Sequence, residues 1–165
     1  MSPSIEGVLL RADRDRLPDP VTFDAGDLSV PRGVVGGEVM PLRLGDPAGT
    51  VYVNADGLRL RLPVNPRASL LVAAATPARR GSALLGNVLL VGPADDEGGD
   101  TSVAQDYRAV LLEDPERVCV ELTVPGDEAP WLPGENTFTD PFLAYTTALR
   151  FATAFPETTI RLLPA

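Results

Sequence analysis

A chain of 165 residues, 44% of them apolar, holds enough material for one hydrophobic core, and residues 1–165 are expected to form a single globular domain. All 14 basic residues are arginine and histidine is absent, which excludes serine–histidine triads, lysine Schiff bases and histidine-ligated metals. The net charge of −9 is lopsided: residues 1–82 carry ten arginines against nine acids, residues 83–165 four against fourteen.

The first predicted element is a strand from Ile5 to Arg11. A charged, proline-broken loop follows, then short extended pieces at Val21 to Phe23 and Leu28 to Val30. Val34 to Leu44 reads as a longer strand with a bulge at Gly36 and Gly37. Thr50 to Val53 and Leu58 to Leu62 form the arms of a predicted hairpin around Asn54-Ala-Asp-Gly57. Its second arm alternates leucine with Arg59 and Arg61, the period of a half-buried strand, and the turn asks for positive φ at Gly57. Ser69 to Thr76 and Ala83 to Val91 are nearly continuous apolar runs, expected as a second hairpin covered on both faces.

Two helices are expected in the C-terminal half. One spans Ser102 to Leu112, capped by Asp100 or Thr101, with Val103, Tyr107, Val110 and Leu111 on one stripe and Asp114-Pro115 as its stop. The second runs from Asp140 to about Phe155, with Thr139 as cap and Phe142, Tyr145, Leu149 and Ala152 facing inward. Strands at Val118 to Val124 and Thr158 to Leu163 bracket it. Cys119, between valines, reads as a buried strand residue rather than a reactive thiol. The fold class is therefore α+β and β-rich, a mainly antiparallel sheet, sandwich or barrel-like, built from hairpins.

Motifs that would carry chemistry fail on inspection. Gly81 to Gly86 has P-loop glycine spacing, but Asn87 and Val88 stand where the phosphate-binding lysine and the magnesium-binding hydroxyl belong. Asp95, Asp96, Glu97 and Asp100 form an acidic turn whose spacing does not match a calcium loop. Arg59 with Arg61, and Arg79 with Arg80, could hold an anion, although exposed strand faces and turns carry such charge for solubility. No metal site, no cofactor and no catalytic residue are expected, and the residues point away from an enzyme.

The apolar runs are too short to span a bilayer, the N-terminus lacks the features of an export signal, and one cysteine cannot form an internal disulfide. A cytoplasmic protein, with the arginine-rich usage of a GC-rich bacterial genome, is expected. An acidic surface disfavours nucleic acid and suits a basic protein partner. The stretch Pro125 to Thr139 is expected as a long connection without secondary structure, rich in proline and holding Trp131, the chain's one tryptophan. Trp131, with Glu128, Glu135 and Phe138, is the expected contact surface of a non-catalytic interaction or structural module, engaging a protein partner or a second copy. The competing reading is a β-barrel-like domain that binds a small molecule or cofactor noncovalently, with enzyme activity open to it through that cofactor.

Overall fold

The computed structural model describes residues 2–123 and 129–165. Five strands, β1 (Ser4–Leu10), β2 (Asp19–Asp24), β3 (Val39–Leu44), β4 (Gly49–Asn54) and β5 (Val88–Val91), form an antiparallel sheet in the order β2-β1-β5-β4-β3. The centre of the sheet falls to β5, whose four residues are all apolar and all 0% exposed. Such a strand has neighbours on both edges and cover on both faces. Val88 and Leu90 face a core shared with Val8, Leu10, Val51 and Val53. Leu89 and Val91 face the other way, against Ile5 and Phe23. Helix α1 (Ser29–Val35) packs on that second face through Val30 and Val34, one helical turn apart. It ends at Gly36, whose φ of 80° is the left-handed cap that glycine takes without steric cost.

Three further helices, α2 (Pro66–Ala75), α3 (Gln105–Leu111) and α4 (Pro141–Ala152), accompany a three-stranded antiparallel sheet. Its strands are β6 (Val118–Thr123), β7 (Leu132–Phe138) and β8 (Thr159–Pro164), in the order β7-β6-β8. Residues from both sheets join one apolar cluster, with Leu71 and Val72 of α2, Tyr107 and Val110 of α3, and Tyr145 and Ala148 of α4 among them. Asn65 locks this arrangement. It is fully buried, its Oδ1 accepts from Ala68 N to cap α2, and its Nδ2 donates to the carbonyls of Leu10 and Gly86, both at 2.9 Å. Among the described residues no helix is long and apolar enough to cross a membrane.

The α+β, strand-rich, antiparallel class is the one found, but the sheets do not close into a barrel. Both C-terminal helices exist. The first is shorter than the sequence implies because Ser102 and Val103 are bonded to β1: Glu6 N donates to Ser102 Oγ and Val103 N donates to Glu6 O. Asp140 rather than Thr139 caps α4, accepting from Phe142 N at 2.9 Å.

Several expectations need correction. Val34 to Leu44 is not one bulged strand: Val34 and Val35 end α1, Gly36 caps it, and β3 starts only at Val39. Leu28 to Val30 is not extended, since α1 starts at Ser29, where Asp27 accepts from both the Ser29 amide and hydroxyl. Leu58 to Leu62 is no hairpin arm. Strand β4 already pairs with β3 on one edge and β5 on the other, so no edge remains for it. Those residues coil through turns closed by Leu60 N to Asp56 O and Leu62 N to Gly57 O, with Leu58 83% exposed. The left-handed residue there is Arg61 at φ 54°, and Gly57 does not have positive φ. Ser69 to Thr76 lies largely in α2, where an alanine-rich run follows an Asn-Pro start, a strong helix signal that its apolar continuity concealed. Finally, β7 occupies part of the stretch expected to lack secondary structure.

Candidate functional site

Of the residues singled out in the sequence, Trp131, Glu135 and Phe138 lie on or just before β7 of the three-stranded sheet. Strand β7 is an edge strand, and six of its seven residues are exposed. Glu135 is exposed on it, while Phe138, at its end, is half-buried and packs against the main core. Glu128 lies outside the described residues. Trp131, just before β7, is half-buried and does not join the apolar cluster. Instead, the guanidinium of Arg161 sits 4.1 Å from the centre of its ring. Arg161 comes from β8 and is held in place by Glu121 of β6, whose Oε2 accepts from Nη2 at 2.7 Å and from Nε at 3.2 Å. Glu121 pairs directly across from Arg161 in the register, so sheet geometry alone brings acid and base together.

On the opposite face of the sheet, where Leu122 stands across from both Leu132 and Ile160, is a shallow hollow of about 170 Å³ lined by Leu122, Thr123, Leu132, Phe151, Phe155 and Thr158. Leu132, Phe151 and Phe155 are 57%, 54% and 53% exposed, and the two phenyl rings lie 5.3 Å apart. Large apolar side chains grouped in this way on a surface mark contact sites more often than isolated ones do. Sequence reading missed Phe151 and Phe155, assigning them only to a helix. The signal was present: Leu143, Thr147 and Phe151 fall at i, i+4 and i+8, opposite the inward stripe of Phe142, Tyr145, Leu149 and Ala152.

Four of the other charged groups, Arg80, Arg59, Asp95 and Asp100, are engaged structurally. Arg80 donates to the carbonyls of Ala73, Pro156 and Thr158, tying the end of α2 to the approach to β8. Arg59 pairs with Asp56 at 3.3 Å. In the acidic loop, Asp95 accepts from Glu97 N and Gly99 N, and Asp100 accepts from the Tyr52 hydroxyl at 2.6 Å. Burial, with that bond and the Asp100 charge, pushes the Tyr52 hydroxyl well above its ordinary range. Among the described residues no cluster of acids and cysteine has metal-binding geometry.

No curated protein and no solved structure matches the chain. A family model does, over residues 5–114, from β1 to just beyond α3, so the face described here lies outside the matched part. By that match the chain belongs to the family described as Domain of unknown function (DUF3846).

Proposed function

We propose that this chain is a non-catalytic, cytoplasmic protein-interaction module whose contact surface is the exposed edge formed by β7 and the C-terminal end of α4, around Trp131, Leu132, Phe151 and Phe155. One observation carries the reading: three large apolar side chains, each more than half exposed, share one hollow at the edge strand that Trp131 precedes. An apolar centre with a tryptophan at its edge is the composition of a binding hot spot, and acids around it favour a partner with a basic rim. Glu135 and Glu157 are both exposed and lie on the flanking segments.

The test is capture on the immobilised chain at low and at high salt, with Glu135→Lys as a charge-reversed control. The reading expects a basic protein retained at low salt, released at high salt, and recovered poorly by the control. Equal recovery by both proteins, or none by either, would remove the basic-partner reading.

A further inference from the structure

A second cavity, of about 520 Å³, opens where the family-matched segment meets α4. Arg67, the second residue of α2, lines it and is only 9% exposed. Its Nη2 donates to the carbonyls of Arg11 at 3.0 Å and Asp13 at 3.1 Å. Its Nε has no hydrogen-bond partner among the described residues, and Nη1 makes no hydrogen bond to any of them. Nor does Arg67 take part in any ion pair among the described residues. The Phe142 ring, centred 5.5 Å from the guanidinium carbon, and the charges of Asp13 and Asp140 compensate the charge in part, opposed by Arg11 and Arg14. Burying a guanidinium is costly unless an anion accompanies it, and among the described residues no carboxylate bonds Arg67, whose Nη1 leaves two donors unused.

The rest of the wall narrows the class of anion. Leu17, Val110 and Phe142 are among its apolar residues, and Arg14 adds a second guanidinium. Asp114 and Asp140 also line it. Asp140 is committed to capping α4, whereas Asp114 is exposed and makes no hydrogen bond or ion pair among the described residues. Two carboxylates in the wall repel a dianion far more than a monoanion. The volume suits a small organic molecule. We propose that this cavity binds a small monocarboxylate with an apolar body, the carboxylate accepting from Arg67 Nη1 and the body lying against Phe142 and Val110.

The test titrates the isotope-labelled full chain with hexanoate, its neutral analogue hexanamide, and inorganic phosphate, following the arginine Nε–H signals by NMR. Hexanoate should shift the Arg67 signal saturably, with hexanamide and phosphate at least about tenfold weaker. Arg67→Gln should abolish the hexanoate response. Because that change also cuts the ties to Arg11 and Asp13, Asp114→Asn provides an independent variant. Asp114 is exposed and has φ 48°, a conformation asparagine also tolerates, so the fold should survive. Removing its charge should tighten hexanoate binding about two- to threefold. Equal responses to hexanoate and hexanamide, phosphate binding as tight as hexanoate, a silent Arg67 signal, or no tightening in Asp114→Asn would each overturn the assignment.

Discussion

Strands β5 and β7 show how differently the two sheets use apolar side chains. In β5 every residue is apolar and none is exposed, and it is flanked by β1 and β4. In β7 nearly every residue is exposed, one edge has no partner strand among the described residues, and Leu132 joins Phe151 and Phe155 at the surface. The first sheet lies within the family-matched residues and directs its apolar groups into stability. The second lies beyond them. It buries one face through Val118, Val120, Ile160 and Leu162, and at the rim of that face leaves Leu132 exposed with Phe151 and Phe155. The contrast separates residues that hold the fold from residues available for contact.

Substitutions can break or sharpen that contrast. The largest effect is expected at Asn65, which touches neither surface. Asn65→Ala removes a helix cap and strands the buried carbonyls of Leu10 and Gly86, and should cost roughly 3–5 kcal/mol in urea unfolding. Leu90→Ala should cost about 2–5 kcal/mol through the cavity it leaves, whereas Leu132→Ala should stay within about 0.5 kcal/mol. A comparable loss at both leucines would mean that β7 is covered as fully as β5.

A smaller, shared effect should appear with pH. Tyr52, Tyr107 and Tyr145 are each held above their ordinary hydroxyl value of 10.0, chiefly by burial. The folded state keeps these protons while the unfolded chain releases them. The stability they contribute is therefore intact below about pH 10 and falls as pH rises beyond it, by up to about 1.4 kcal/mol per tyrosine per pH unit. Melting temperature from pH 8 to 11 should fall in step with tyrosine ionisation read by absorbance. Tyr145→Phe, in α4, should flatten that fall as much as Tyr107→Phe, in α3, if both sheets share one core.

What the sequence revealed follows from how local each signal is. The stripe Val103, Tyr107, Val110, Leu111 is a local pattern, and all four residues are buried on or next to α3. The inward face of α4 was legible for the same reason. The leucine–arginine alternation at Leu58 to Leu62 misled because strand pairing is non-local: nothing in those residues says that β4 has no free edge. The apolar run in α2 misled because full burial erases periodicity, leaving only Asn65-Pro66 and the alanines to mark a helix. Trp131 was found as a lone tryptophan, but its stack on Arg161 depends on strand register across β6 and β8. Arg67 went unnoticed because burial of a guanidinium has no sequence signature.

The most direct test of the central claim, that the exposed apolar edge at β7 and the end of α4 serves contact rather than stability, is the double variant Phe151→Ser/Phe155→Ser. Its thermal melt should be read beside sedimentation velocity and partner capture on the same preparation. Both rings are already more than half exposed, so the melt should move by no more than about 2 kcal/mol equivalent while association is lost. A large fall in stability with association unchanged would place these rings in the core's service and contradict the account.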